Sequence, residues 1–251
     1  MRLFDSHTHL FMEPLGGELE GVLRRARAGG VGRMVVPAFD RASWKAAKLL
    51  ARRPGVHCAL GVHPWAADGG VDIDQLAEAI GDARALAVGE IGLDGKVDVP
   101  MEKQIQILEE QLELAVDLNL PVILHCRGEF DLLLSLLGRL GRPVSGVFHA
   151  FSRGPQLAAR LLDLGLHLGI GGAVTRPGAR RIRRALPGIP ISRMLLETDS
   201  PSMGMEGVPA GGSEPADVHR VCVAAAKVLG VEASELADST WRNASGLFGL
   251  A

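Results

Sequence analysis

The sequence predicts an α/β protein: a single (β/α)8 barrel of the TIM type over residues 1–251, with extra helices at its C-terminal end. Three observations predict it. Short apolar and β-branched runs alternate eight times with longer amphipathic stretches. Those short runs are almost wholly apolar, as strands are in a parallel sheet covered on both faces. No Ser/Pro-rich linker or shift in composition divides the chain, whose length is close to the roughly 250 residues that one such barrel takes. An open doubly wound sheet usually places a Gly-rich phosphate turn after its first strand. Here that place holds His7 and His9.

Taken in order, the first strand is expected at Leu3 to Leu10. A helix over Glu18 to Ala28 follows, with Leu19, Val22, Leu23 and Ala26 on one face and Gly29-Gly30 as its stop. Arg33 to Ala38 is the second strand, and Trp44, Ala47, Leu50 and Ala51 mark the next helix. The third strand runs from His57 to Pro64, after which Asp72 and Asp74 can cap a helix through Leu76 and Ile80. Ala85 to Gly92 gives the fourth strand, leading into Leu93-Asp94. Pro100 then opens the clearest helix, where Ile105, Leu108, Leu112 and Ala115 recur at three and four. Pro121 to Arg127 is the fifth strand, followed by a Leu-rich helix from Phe130 to Leu140. Ser145 to Phe151, His167 to Gly171 and Arg193 to Asp199 complete the eight, separated by helices through Leu157, Leu161 and Leu162 and around Ile182. From Pro215 onward the chain reads as helical.

Composition narrows the function. A net charge of -2 rules out a polycation, so contact with nucleic acid would come from a local patch or from metal ions. Cys58, Cys126 and Cys222 are odd in number and far apart, which fits a reducing, cytoplasmic setting rather than a disulfide framework. Neither a signal segment nor an apolar run of about 18 residues occurs, so export and membrane spanning are not expected. No obligate protein partner is evident.

The chemistry lies where strands end. His7 and His9, two residues apart in an extended run, would project the same way, and a pair of neutral imidazoles can hold one cation. Glu90 ends the fourth expected strand, His125 the fifth, His149 the sixth and Asp199 the eighth. In a barrel these ends meet on one rim, the place where barrel enzymes put their active sites. Six nitrogen and oxygen donors exceed one tetrahedral shell and suit two divalent ions with a shared carboxylate. Mg²⁺ and Mn²⁺ prefer oxygen, while four histidines also suit Zn²⁺ or Co²⁺. Cys126 is expected to point away from the rim as core, and Cys58 and Cys222 to be structural. The run Arg180, Arg181, Arg183 and Arg184 is expected on a solvated outer helix face.

Five segments carry a resemblance: Asp5-Ser6-His7-Thr8-His9, Gly89-Glu90-Ile91-Gly92-Leu93-Asp94, Leu124-His125-Cys126-Arg127, Phe148-His149-Ala150-Phe151-Ser152 and Glu197-Thr198-Asp199-Ser200-Pro201. Together they resemble the TatD-related metal-dependent deoxyribonucleases, within the wider amidohydrolase-like metal barrels, over nearly the whole chain. The resemblance implies that His7, His9, Glu90 and Asp199 hold one ion and that Glu90, His125 and His149 hold the other. It also implies that Asp199 orients the attacking water and takes its proton, so that Glu90 and Asp199 are the catalytic carboxylates. His63 is implied as a substrate contact. Arg127, two residues after His125, faces the same way in a strand and is expected to bind a phosphate oxygen. The expected substrate is a phosphodiester, DNA above all.

The sequence departs from the family pattern at Gly95-Lys96, where an aromatic residue is usual, at Arg153 in place of glycine, and at Gly211-Gly212-Ser213-Glu214-Pro215 in place of an Arg-rich stretch ending in Asn-Glu-Pro. These changes are expected in the loops that grip substrate. Hydrolysis of an amide or cyclic amide on the same barrel, or a binding barrel without catalysis, are the competing readings. Glu90 stands where many amide-hydrolysing relatives carry a modified lysine, and an unfilled ring of six polar groups would be costly to keep.

Overall fold

Backbone pairing in the computed structural model, which describes residues 1–250, runs around a ring in sequence order. Among the described residues there are eight strands, each parallel to the next within its sheet. The strands β1 (Leu3–Asp5), β2 (Val31–Pro37) and β3 (Val56–Ala59) form one sheet. A second sheet holds β4 (Val88–Asp94), β5 (Val122–Arg127), β6 (Gly146–Phe148), β7 (His167–Ile170) and β8 (Met194–Leu196). Single parallel bridges span both seams, Leu60 to Val88 and Thr8 to Ser200.

The expected helices stand between the strands: α1 (Leu19–Ala28), α2 (Arg41–Leu50), α3 (Ile73–Ala83), α4 (Met101–Asp117), α5 (Phe130–Arg139), α6 (Pro155–Asp163) and α7 (Arg180–Ala185). The C-terminal helices are α8 (Val218–Leu229) and α9 (Ala233–Leu247). Their ends follow local chemistry. Asp40 accepts the Ser43 backbone N–H at 2.7 Å while Ser43 Oγ accepts the Asp40 N–H at 3.0 Å, a reciprocal cap for α2. Asp72 caps α3 through the Gln75 N–H at 3.0 Å.

Side chains inside the ring form a layer from Phe4, Val35, Ala59, Ala87, Ile123, Val147 and Leu195, and Trp241 and Ala244 of α9, with Phe248 just after it, pack against that layer. Alternation along a strand then fixes what lies two residues further on. Above Ile123, Val147 and Leu195 come His125, His149 and Glu197. Polar groups therefore sit on an apolar floor because the period of the strand carries them inward.

Several expected strands are shorter than their apolar runs. The ladder of β1 stops at Asp5 rather than Leu10, β3 stops at Ala59 before His63, β6 stops at Phe148, and β8 stops at Leu196. Beyond those points the backbone makes single bonds to neighbouring strands and loops instead. Thr8 N donates to Val35 O at 3.0 Å, His9 N to Ser200 O at 2.7 Å, and Asp199 N to His7 O at 2.8 Å. The rim segments leave the sheet, and two of them turn through left-handed residues, Ala150 and Asp199, each with φ of +50°.

In β4 the register with β5 slips between Gly89 and Ile91, leaving Glu90 as the extra residue of a bulge. Close approach makes Gly92 obligatory there. Its φ is +153°, and a Cβ would lie 1.9 Å from the His125 carbonyl oxygen. Gly92→Ala is expected to cost about 3 kcal/mol of stability through overpacking and backbone strain, read as a lower urea midpoint.

Candidate metal centre

Glu90 is the centre of the site. It is buried, and five imidazoles surround its carboxylate. One oxygen, Oε2, lies 3.2 Å from His7 Nε2 and 3.6 Å from His9 Nε2. The other, Oε1, lies 2.8 Å from His149 Nε2, 3.0 Å from His125 Nδ1 and 3.5 Å from His63 Nε2. Asp199 Oδ1 joins the first group, 3.4 Å from His9 Nε2 and 3.8 Å from His7 Nε2. All six expected donors thus meet at one mouth, with His63 beside them. The expected outer position of the arginine run also holds: Arg180, Arg181 and Arg184 are exposed, and Arg183 is half-buried against the Val174 carbonyl at 2.9 Å.

Neighbours that the sequence did not single out hold these side chains. Asp94 Oδ2 lies 3.2 Å from His125 Nε2, and the Pro37 carbonyl lies 3.1 Å from His9 Nδ1. Both partners can only accept, so each ring, when neutral, carries its proton on the far nitrogen and turns a bare nitrogen towards Glu90. Two buried glutamines of α4 fix the loops beneath. Gln104 accepts the Asp94 N–H at 2.8 Å and donates to the Asp94 carbonyl at 3.1 Å. Gln111 accepts the Val62 N–H at 2.7 Å and donates to the Val62 carbonyl at 3.1 Å, next to His63. Asp5, wholly buried, takes the Thr198 N–H at 2.9 Å and its hydroxyl at 2.6 Å, tying the segment before His7 to the one before Asp199.

Glu197 is a further buried carboxylate that the sequence reading gave no role. It accepts the Ala150 N–H and stands 3.9 Å from His149 Nδ1. Gly169 leaves the space it fills, since a Cβ there would come within 2.2 Å of its Oε2. A carboxylate in the apolar run Met194-Leu195-Leu196 was the available signal, because such a group is seldom buried without a polar neighbour.

The charges are coupled. Burial would raise Glu90, but His149, His7, His63 and His125 outweigh it and hold the carboxyl well below its usual range. Asp199 is likewise below its ordinary value, as His9 and then His7 overcome its burial. Burial would lower His149, yet Glu90, followed by Glu197 and Asp199, lifts it to about 10. His63 goes the other way: burial dominates and depresses it to about 3. Its Nδ1 accepts the Trp65 N–H at 3.2 Å, so the neutral ring carries its proton on Nε2, facing the site as a donor. His63 stands at the start of a 3-10 turn (Pro64–Gly69) rather than in a strand.

The arrangement fits divalent cations. At His9 Nε2 and His125 Nδ1, bare ring nitrogens face carboxylate oxygens, and acceptors facing acceptors repel unless a proton or a cation lies between them. His7, His9 and Glu90 form one triple of donor atoms within 4.8 Å of one another; His63, Glu90 and His125, and His7, His149 and Glu197, form two others. The tautomer of His63 makes it the poorest ligand of the set.

Around the mouth, Arg127 has 61% of its side chain exposed and lies 3.7 Å from Asp94. Arg153 lines the pocket as expected of a substrate loop. The departure near residue 213 does not: Ser213 donates to the Met203 carbonyl at 2.6 Å and Glu214 pairs with Arg25 of α1 at 2.7 Å. Cys126 lines the pocket rather than facing away from it, but it is buried, and burial pushes its thiol up to about 12, far above the range of a reactive thiolate. Cys58 and Cys222 are buried too, each pushed by burial to about 11.

Chemistry of this kind on the rim of a parallel barrel is that of a metal-dependent hydrolase. Comparison narrows the class: the profile of the TatD related DNase family matches residues 4–249, and the chain belongs to that family. It is 36% identical to the uncharacterized metal-dependent hydrolase YjjV of Escherichia coli, over 99% of this chain and 98% of that one. The crystal structure of YjjV superimposes with a TM-score of 0.93, covering 100% of this chain and 99% of the other at 36% identity. A protein of Erwinia amylovora named as the 3'-5' ssDNA/RNA exonuclease TatD is 31% identical over 99% of this chain and 100% of its own. The phosphotriesterase homology protein of Escherichia coli, at 15% identity and a TM-score of 0.69 over 98% of both chains, shares the barrel fold. Among the described residues no helix is long and apolar enough to cross a membrane.

Proposed function

We propose that this chain hydrolyses phosphodiester bonds of single-stranded nucleic acid with two divalent ions placed on either side of Glu90, the whole chain acting as one cytoplasmic domain. One observation carries the reading: the two oxygens of Glu90 serve two different pairs of imidazoles, His7 with His9 and His125 with His149. His7, His9, Asp199 and Glu90 Oε2 would hold one ion, and Glu90 Oε1, His125 and His149 the other. Zn²⁺, Co²⁺, Mn²⁺ or Mg²⁺ there would supply Lewis acidity, acidifying water and neutralising phosphate oxygens. Asp199, ionised and at the edge of the pocket, accepts the proton of the attacking water. His63 donates a hydrogen bond from its Nε2–H to the substrate, and Arg127 pairs with a phosphate oxygen. The free, buried cysteines fit a reducing compartment. The name of the Erwinia amylovora relative supports a nucleic acid substrate.

The test is a panel of single-stranded oligonucleotides, simple phosphodiesters and amides, incubated with metal-loaded protein. Cleavage of the diesters and not the amides is expected. Turnover of amides alone would replace this reading with the competing one.

Loading should also release protons. Without a cation, protons favour His9, His125 and His149, which the neighbouring carboxylates raise against their burial. Titration with Zn²⁺ in buffers of different ionisation enthalpy is expected to give net proton release, with affinity rising with pH as these imidazoles lose their protons, up to about 10 for His149.

A further inference from the structure

The pocket above Glu90 has a volume of about 410 Å³, and its lips differ. On the loop after β3, Trp65 is 47% exposed, while every other aromatic side chain among the described residues is buried or half-buried. The indole rests on a built base. Phe39 meets it edge-on at 5.1 Å, His63 packs at 4.2 Å, and Phe11 braces Phe39 at 5.3 Å. Such a ring is held in place with nearly half of it left to the solvent, which suits stacking by a flat partner.

On the loop after β6, three strands further round the ring, the Arg153 guanidinium lies over the Phe130 ring at 4.6 Å. Among the described residues it has no carboxylate partner. A planar cation fixed on an aromatic face and left unpaired is suited to a phosphate. Arg127, at the end of β5, adds a second guanidinium loosely tied to Asp94.

We propose that Trp65 and Arg153 set substrate choice by gripping a single strand on both sides of the bond to be cut: the indole stacks an unpaired base, and the Arg153 guanidinium, with Arg127 beside it, neutralises the next phosphate. This rests on the phosphodiesterase reading above and narrows it. The preferred substrate offers a free base face and a second phosphate, so single strands are bound more tightly than simple diesters or paired bases. Stacking tolerates any base, because each has a π face. The cavity suits about one nucleotide.

The test uses metal-loaded full-length protein with three substrates: an ordinary single-stranded oligodeoxynucleotide, the same length made abasic around the cleaved bond, and a simple dialkyl phosphodiester. Trp65→Ala is expected to raise KM about tenfold for the ordinary strand and to leave the abasic strand unchanged, with Trp65→Phe in between. Arg153→Ala is expected to weaken both oligonucleotides alike, to flatten the salt dependence of KM by about one charge, and to spare the simple diester. A readout apart from turnover is the emission of Trp65, since Trp44 and Trp241 are buried at 8% and 7% exposure. Rapid mixing with the ordinary strand should quench it before product forms, and Trp65→Phe should lose that phase. Equal KM for ordinary and abasic strands in the wild type, or discrimination surviving Trp65→Ala, would overturn the proposal. Failure of the wild type to cleave any diester would instead overturn the phosphodiesterase reading on which it rests.

Discussion

Glu90→Ala is expected to empty the protein of both divalent ions and to abolish hydrolysis, while the barrel still folds. The carboxylate is the one group within reach of all four ligand imidazoles, at 2.8 to 3.6 Å, and no other carboxylate touches both pairs. Asp199 lies 3.8 Å from His7 and 3.4 Å from His9, while Glu197 stands 3.9 Å from His149 and within 4.8 Å of His7. Loss of one electrostatic stabiliser costs an enzyme about 10²- to 10³-fold, so loss of both ion positions should exceed a thousandfold. Stability should fall far less, by about 1–3 kcal/mol, because the imidazoles left behind can shed their protons. Elemental analysis, turnover and thermal unfolding on one preparation check all three parts. Metal content at the wild-type level would remove Glu90 from the centre.

Asp199→Asn separates holding from proton transfer. The amide keeps the size of the side chain and an oxygen towards His9, but it cannot accept a proton at neutral pH. A fall in kcat of about 10²- to 10⁴-fold is expected, with the ion beside His125 and His149 retained. Turnover per bound metal is the measurement, and a variant within about tenfold of wild type would need another base. Glu197 is the nearest alternative carboxylate. Burial raises it to about 7, but it is wholly buried and bonded to the Ala150 N–H, away from the open pocket.

Much of this was legible in the sequence because barrel strands announce themselves as apolar runs and their last inward residue must be polar to serve chemistry. His125 two places after Ile123 and His149 two after Val147 follow from alternation alone. Strand length was less legible. His7, His9, His63 and Asp199 continue apolar runs, yet their backbones bond to neighbouring loops, and only the fold decides which loops those are. The bulge at Glu90 had a trace in Gly89 and Gly92, whose backbones must approach β5 too closely for a Cβ. What stayed hidden were partners distant in sequence: Asp94 behind His125, Gln111 under Val62, and Asp5 joined to Thr198 across 193 residues. Each looks like an ordinary polar residue until the ring brings the two segments together. Arg127 shows the same limit, since its carboxylate is Asp94 on the adjacent strand rather than one nearby in sequence.

Diffraction from crystals grown with Mn²⁺, recorded for anomalous scattering, tests the arrangement at its root. Two peaks should flank Glu90, one among Oε2, His7, His9 and Asp199 and the other among Oε1, His125 and His149. A single peak, or peaks remote from that carboxylate, would contradict it.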